Sequence, residues 1–416
     1  MVAGELSRHV HFNVHTERRV PRIHRKFTTV ARASKKKEVA RSDASYLTCP
    51  IVVETAEVLT KEEMVPSPLW SSFCGSLGGL WLGHRGVYAP FTGHAEPIGM
   101  DGKTKLYHVS HCCVEERDLV DGVDCVVRHE AQACKMDVLE ELMKDADRLD
   151  FERIRDDVQD WNYDAMIQDE DGLFIFDGGT YSRGPLRLCH VPEEGEEDGE
   201  YSPVDNVHVI ESCLQWNGEE RVRVSVTMST ELLESELGPE HPPELDVSLL
   251  RVVVNRESWE GLPGQYMAST QSESDVQSKQ YSGTCRIDQH EMKGFWNVFD
   301  VRVSRVEDVD MKTGNLATLS VYTSQEFQRM FNTGDTFVVS DDTSGTQGDM
   351  CVLDGGTLWL PHRVILQVST PVGDSEAGLE ISMLWSPEKG KFLSMTRKYS
   401  KEGHFILTTC STGIKK

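Results

Sequence analysis

The sequence lacks any apolar run near the roughly 18 residues that a membrane-spanning helix needs. It also lacks an excess of basic charge, because 43 Lys and Arg stand against 68 Asp and Glu in 416 residues. The resulting net charge of −25 argues against a general nucleic-acid binder, since neutralising phosphates requires clustered cations. No Gly-x-Gly-x-x-Gly, Walker loop, His-Glu-x-x-His or Cys-x-x-Cys occurs. We therefore expect no transmembrane segment, no nucleic-acid partner, no metal and no cofactor.

Eleven cysteines are an odd number without the spacing of a disulfide framework, and we expect them to be mostly reduced and buried. The pattern His108-x-x-His111-Cys112-Cys113 is the cluster most like a metal site. Positions 108 and 111 point to opposite faces of a strand, however, which favours a structural role over a shared cation.

The basic charge is concentrated at the start of the chain. Residues 1–33 contain seven Lys or Arg and only Glu5 and Glu17, so that the remainder of the chain is strongly acidic. A basic N-terminal segment followed by an acidic remainder of the chain is typical of a transit peptide. We predict a plastid transit peptide over residues 1–33 and a chloroplast stroma location, because a second apolar segment for thylakoid export is missing. A disordered basic tail is the alternative.

Two signatures occur twice in the same order. Gly79-Leu80-Trp81 precedes an apolar run that ends in Asp177-Gly178-Gly179-Thr180, and Gly294-Phe295-Trp296 precedes a run that ends in Asp354-Gly355-Gly356-Thr357. An apolar run that meets Asp-Gly-Gly predicts a hairpin whose glycines supply positive φ. The repetition indicates an internally duplicated β-structure.

Turn residues and composition divide the remaining chain. We predict a disordered linker over residues 34–65, a first β-domain over 66–267, a linker over 268–283 and a second β-domain over 284–412. Apolar residues at helical spacing predict a helical insertion over 135–161, which would explain why the first copy is longer. Alternation in strands such as Arg221–Met228 places Val222, Val224 and Val226 on one face.

Gly-x-Trp at the start of an antiparallel β-domain resembles lipocalins and the wider calycin group. The phrases Phe174–Gly184, Arg221–Val224 and Asn255–Glu257 resemble more specifically domain-of-unknown-function family 3598, which is found in cyanobacteria and plastids. The resemblance implies a mainly β fold of two tandem lipocalin-like antiparallel β-barrels, the first with a helical insertion. It also implies that Trp81 and Trp296 plug the barrel bases beneath a basic side chain, for which Arg256, Arg397 and Lys398 are the candidates.

Few side chains stand out as functional candidates. Asp177 and Asp354 precede Gly-Gly, where turn chemistry is a better explanation than acid–base catalysis. Tyr181 and Arg183 follow the first turn, and at a barrel mouth they would meet an anionic head group of a ligand; exposed hairpin residues are the alternative. We identify no catalytic residue.

The sequence favours a non-catalytic plastid binding or assembly factor for a small hydrophobic ligand such as a tetrapyrrole, carotenoid or fatty acid. A bilin-lyase-like enzyme and a structural subunit of a plastid complex, with a plastid protein as partner, are the alternatives. The functional relatives by fold are phycobilin lyases and apolar-ligand carriers, and fold alone is weak support for function.

Overall fold

The computed structural model describes residues 51–90, 93, 96, 108–118, 124–132, 161–189, 206–233, 244–261, 286–309, 316–333, 356–370 and 377–416. The predicted transit peptide and the 268–283 linker lie outside these residues, as do Asp354, Gly355 and the 135–161 insertion except Trp161. None of the described helices is both long and apolar enough to span a membrane.

The described residues are mainly β, with two short helices, α1 (Trp70–Leu77) and α2 (Gln289–Met292). The strands, numbered in chain order, are β1 (Ile51–Val58), β2 (Glu63–Val65), β3 (Gly79–Tyr88), β4 (His108–Asp118), β5 (Asp124–Gln132), β6 (Trp161–Ile167), β7 (Leu173–Ile175), β8 (Tyr181–Arg183), β9 (Val207–Trp216), β10 (Glu220–Leu233), β11 (Glu244–Gly261), β12 (Gly294–Val309), β13 (Leu316–Thr333), β14 (Gly356–Leu360), β15 (Val364–Ser369), β16 (Ala377–Trp385), β17 (Lys391–Ser400) and β18 (Phe405–Lys415).

The strands form two antiparallel sheets. The first sheet has the order β6-β5-β4-β3-β11-β10-β9-β8-β7, and the second has the order β1-β13-β12-β18-β17-β16-β15-β14, with β2 also paired to β13. In each sheet the strand that opens with Gly-x-Trp pairs with the last strand of its half, β3 with β11 and β12 with β18. Most consecutive strands also pair with each other in both sheets. The two halves thus share one topology, as a duplicated β-structure predicts.

The first sheet is curled. Arg128 of β5 donates a hydrogen bond of 2.6 Å to Glu211 of β9, although four strands separate β5 from β9 in the sheet order. Side chains so far apart in a flat sheet would not meet, because neighbouring strands are about 4.8 Å apart. The concave face of this sheet therefore encloses an interior.

The largest apolar cluster lies between the two sheets. It joins the convex faces of both, and includes Val222, Val224 and Val226 of β10 with Leu379, Ile381 and Met383 of β16. The valines do share one face, but the opposite face of β10 is also buried, since Arg221 and Arg223 are each 1 % exposed. Alternation on this strand therefore separates two buried environments, and the polar face lines the interior of the first half.

Each Gly-x-Trp signature is anchored in the same way. A short helix precedes the glycine, whose φ is 113° at Gly79 and 117° at Gly294. The indole then donates to a carbonyl four residues earlier, Trp81 to Leu77 and Trp296 to Met292, both at 2.9 Å. Both indoles are buried. Positive φ turns the chain from helix into strand, and glycine adopts it without a steric penalty.

The predicted hairpin at Asp177-Gly178-Gly179 is confirmed. Strands β7 and β8 pair across it, with Ile175 opposite Tyr181, and both glycines have positive φ, 69° and 77°. In the second half Gly356 is the first residue of β14.

The prediction of a disordered linker over residues 34–65 is wrong for its final part. Strand β1 pairs with the end of β13, and β2 pairs with Tyr322–Ser324 of the same strand. Seven of the eight side chains of β1 are exposed, so that burial contributes little and backbone hydrogen bonds to β13 hold the strand. A segment held in this way carries no strong pattern of core residues.

Candidate functional site

Tyr181 and Arg183 lie in the polar interior of the first half. The Tyr181 hydroxyl accepts a hydrogen bond from Arg128 at 2.8 Å and donates one to Glu211 at 2.5 Å. Arg183 donates through Nε to Glu170, through Nη1 to Asp164 and through Nη2 to the carbonyl of Ala165. These bonds engage all three guanidinium nitrogens, so the geometry does not favour the predicted ligand role of this pair.

A second, more deeply buried group of charges is connected to the first through the ion pair of Arg223 with Glu211. Glu257 of β11 stands opposite Arg221 of β10 in the strand register. Its carboxylate accepts from Arg221 Nε at 2.7 Å and from Arg223 Nε and Nη2 at 2.9 and 2.8 Å. Glu257 is completely buried. Hydrogen bonds from two arginines offset the cost of removing the carboxylate from water.

Burial and ion pairing shift the titration of this interior. Burial would raise the pKa of Glu257, but Arg221 and Arg223 outweigh it and lower that pKa to about 2. Burial likewise opposes ionisation of Glu211, yet Arg128 and Arg223 hold its pKa below the ordinary value. The pKa of Tyr181 is raised well above its usual value by burial and by the Glu211 carboxylate. At neutral pH the carboxylates are charged and the phenol is neutral.

The interior of the first half is thus occupied by paired charges. Four arginines face four carboxylates, which are Arg128, Arg183, Arg221 and Arg223 with Asp164, Glu170, Glu211 and Glu257. Because the charges balance and the donors are largely bonded within the network, this interior has the character of a polar core. Among the described residues of this interior, few charged or hydrogen-bonding groups therefore remain to bind a ligand.

The predicted basic partners of the tryptophan plugs are wrong. The guanidinium of Arg221 lies 4.0 Å from the ring centre of Trp81, and Lys415 Nζ lies 5.6 Å from that of Trp296. Arg256 stacks instead on Trp385 at 4.7 Å. The antiparallel register explains the error for Arg256, since it pairs with His84 while its neighbour Glu257 points to the interior.

Arg397 and Lys398 also have other roles. Arg397 donates to the carbonyls of Gly172 and Gly184, and it thereby connects the second sheet to the first half. The Lys398 ammonium forms an ion pair of 2.7 Å with Glu380. Neither residue covers a tryptophan ring among the described contacts.

The concave face of the second sheet, in contrast, encloses open space. A cavity of about 380 Å³ is lined by strands β1, β12, β13 and β15–β18. Its apolar side includes Phe331 and Phe392, whose rings meet edge to face at 5.7 Å between centres. Its remaining lining residues are Ile51, Val53, Asp300, Arg302, Arg329, Ile365, Gln367, Glu380, Ser382, Leu384, Ser394, Thr396, Lys398, Leu407, Thr409 and Ser411. The cavity therefore has apolar, hydroxyl and charged surfaces.

One aspartate organises the charged side of this cavity. Asp300 is buried, and its Oδ2 accepts a hydrogen bond of 2.6 Å from Arg329. Arg302 Nη2 lies 3.6 Å from the same oxygen, which is too long for a hydrogen bond. Asp300 Oδ1 has no hydrogen-bond partner within the described residues. The carboxylate is thus less completely bonded than its counterparts in the first half.

Sequence reasoning missed this cavity, although a signal was present. Polar residues alternate along three neighbouring strands, as Glu380 and Ser382 on β16, Ser394, Thr396 and Lys398 on β17, and Thr409 and Ser411 on β18. Alternating polar residues are usually assigned to a solvent-facing side of a sheet. In a curled sheet they line the interior, and short Ser and Thr side chains leave it unfilled.

The structure shows no sign of a metal centre among the described residues. The part of the chain that the structure describes contains no group of three or more His, Cys, Asp or Glu that could hold an ion. His108 and His111 lie on strand β4. None of the six cysteines whose side chains the structure describes forms a disulfide, and five of the six are buried.

No protein-family model matches the chain, and no curated protein matches it. A solved structure from Nostoc punctiforme is similar over 84 % of this chain and 100 % of its own length, with 14 % identity and a TM-score of 0.43. It is described as a protein with unknown function from domain-of-unknown-function family 3598, the family that the sequence phrases resemble.

Proposed function

We propose that the protein is a non-catalytic binding factor that holds a small amphipathic ligand in the cavity of the second sheet. In this proposal both curled sheets are lipocalin-like barrels of the calycin type, related to family 3598, and the protein acts in the chloroplast stroma. The observation that carries the proposal is the cavity, whose volume of about 380 Å³ lies within the usual range for ligand pockets.

The residues that line the cavity favour an amphipathic ligand over a purely apolar one. Ile365, Leu384 and Phe392 offer an apolar surface, whereas Asp300, Thr396 and Ser411 offer hydrogen-bonding groups. A pure hydrocarbon such as a carotene would displace water from the charged Asp300 and Arg302 without offering either a hydrogen bond, which is costly in a water-excluded site. A fatty acid, with an apolar chain and a polar head, satisfies both surfaces.

The first half supports a structural role for its own copy. Its interior is occupied by ion pairs together with an apolar cluster that includes Trp81 and Tyr181, and its convex face forms part of the apolar cluster between the sheets. This copy would stabilise the binding half and present a surface to a plastid partner. No specific observation favours a bilin-lyase activity.

The proposal is tested by filling the cavity. Ser382 lines it, and Ser382→Phe would place a ring in the space that a ligand needs. Ser320→Phe is the matched control, because Ser320 is exposed on β13 and lines a different groove of about 390 Å³. Binding is measured by displacement of anilinonaphthalene sulfonate from the full-length protein by decanoate and decanol.

We expect Ser382→Phe to weaken binding of both decanoate and decanol at least about tenfold, because the ring occupies space inside the cavity that either ligand needs. Ser320→Phe should bind as the wild type does. Equal binding by the wild type and Ser382→Phe, in a protein with unchanged circular dichroism, would place the ligand elsewhere and refute the proposal.

A further inference from the structure

We infer that the cavity of the second sheet selects a ligand with a monoanionic carboxylate head and that Arg302 binds this head. The inference rests on the proposed function and adds to it the chemical class of the ligand and the residue that recognises it. It comes from the charges of the lining residues and from the unused hydrogen-bonding capacity of one arginine.

The described lining residues carry one positive charge in excess. Arg302, Arg329 and Lys398 face Asp300 and Glu380. Lys398 is paired with Glu380 at 2.7 Å and Arg329 with Asp300 at 2.6 Å, so that Arg302, 3.6 Å from the same Asp300 oxygen, shares this carboxylate with Arg329. A ligand with a single negative charge would neutralise this cavity.

The guanidinium of Arg302 lies beside Asp300 and Phe327 without a hydrogen bond to either. Its guanidinium carbon lies 5.4 Å from the ring centre of Phe327, and the described residues show no hydrogen bond from it. The side chain is 33 % exposed, so a ligand can reach it. A guanidinium with free parallel N–H groups matches the two oxygens of a carboxylate in a bidentate arrangement.

Asp300 lies close enough to Arg302 to influence the binding of a carboxylate there. Its Oδ2 lies 3.6 Å from Arg302 Nη2, close enough for the aspartate to compete electrostatically with an incoming carboxylate. Removal of the aspartate charge should therefore strengthen carboxylate binding, whereas removal of the arginine charge should weaken it. A merely structural role for this cluster predicts that both changes weaken binding.

The net charge of the cavity lining favours a carboxylate head group over a phosphate head group. A phosphate monoester carries about −1.5 to −2 at pH 7 and would leave negative charge uncompensated in a site with one excess cation. Both head groups use the same oxyanion chemistry, so the experiment includes decyl phosphate beside decanoate. Decanol serves as the neutral ligand with the same chain.

The experiment compares Arg302→Gln, Arg302→Lys and Asp300→Asn with the wild-type full chain, using displacement of anilinonaphthalene sulfonate. Arg305→Gln is the matched control, since Arg305 lies on the same strand but pairs with Asp171 outside the cavity. Thermal melts show whether each variant is folded, and Arg302→Lys retains the charge if Arg302→Gln is unstable.

We expect Arg302→Gln to weaken decanoate binding at least about tenfold while decanol changes less than about twofold, because only the acid forms a charge-assisted pair. Arg302→Lys should fall between the wild type and Arg302→Gln, and Asp300→Asn should bind decanoate more tightly. Wild-type decyl phosphate should bind more weakly than decanoate.

Three results would overturn the inference. These are equal losses for acid and alcohol in Arg302→Gln, weaker decanoate binding in Asp300→Asn, or tighter binding of decyl phosphate than of decanoate by the wild type. Each of them is compatible with a ligand in this cavity. The proposed function fails separately, if neither decanoate nor decanol is sensitive to Ser382→Phe.

Discussion

The buried ion pairs of the first half give the clearest prediction about stability. Glu257→Gln removes the charge of a carboxylate that accepts three hydrogen bonds from Arg221 and Arg223 and is fully shielded from water. The amide is close in size to the carboxylate, so packing is preserved. Two buried guanidinium groups would then lack their shared anion, and this arrangement typically costs about 3–5 kcal/mol.

The pKa of Glu257 gives an independent magnitude. It falls from 4.5 to about 2, and this difference corresponds to about 3 kcal/mol in favour of the charged form. A group with a lowered pKa in the folded state stabilises the protein fully above its unfolded pKa, here 4.5. That contribution is lost as the pH falls through about 2. The expected loss in Glu257→Gln at pH 7 therefore lies near the lower end of the mutational range.

Glu220→Gln is the matched control for this substitution. Glu220 also pairs with an arginine, Arg256, at 2.6 Å, but its side chain is 44 % exposed. An exposed pair of this kind contributes about 0–1 kcal/mol. Urea unfolding followed by tryptophan fluorescence at pH 7 compares the two variants with the wild type. If Glu257→Gln cost no more than Glu220→Gln, the network would not depend on its buried charge, and our account of this interior would be wrong.

Two further predictions concern other buried positions. Burial lowers the pKa of both His84 and His362 to about 4, so these side chains stay neutral in the folded protein at pH values where they are protonated in the unfolded chain. The melting temperature should therefore decline as the pH falls from about 6.5 toward 4. A constant melting temperature over this range would contradict the expectation. Gly83→Ala should lower the free energy of unfolding in urea by roughly 3 kcal/mol or more, because the added Cβ would lie 1.9 Å from the carbonyl oxygen of Arg256. Gly178→Ala is the control. Its Cβ would lie in open space, so only the strain of a positive φ remains, which costs about 1 kcal/mol. Similar losses in the two glycine variants would show that β3 can move away from β11.

The local features of the fold were predictable from sequence because they depend on local chemistry. The glycines of Asp177-Gly178-Gly179 have the positive φ that the turn requires, and β7 and β8 pair across them. The Gly-x-Trp signatures also mark equivalent places in the two halves, since each follows a short helix and each indole is buried. Such features need only a few neighbouring residues.

Features that depend on strand order were not predictable in the same way. The choice of Arg221 rather than Arg256 as the cation over Trp81 follows from the register of β3, β10 and β11. A shift of one residue moves a side chain to the other face of the sheet. Sequence alone did not specify that register, so the right type of contact was assigned to the wrong residue.

The burial of both faces of a strand was also hidden from the sequence. Val222 and Arg223 are neighbours on β10, and alternation alone assigns one of them to solvent. The arginine is buried because Glu257, 34 residues away in the chain, supplies its partner. A polar residue on an alternating strand therefore identifies an interior only when its partner across the sheet is also known.

The two halves share a frame and differ in what their strands project inward, and this difference locates the proposed site. In the first half Arg128, Glu211 and Arg223 meet in the interior, and long side chains with paired charges occupy it. In the second half Ser382 and Thr396 occupy the concave face, and their hydroxyls bond to each other at 2.8 Å without filling the space. Because backbone pairing sets the size of each interior, the length of the inward side chains decides whether room remains. We therefore expect ligand binding to reside in the second half, where short hydroxyl side chains and an incompletely bonded arginine coincide.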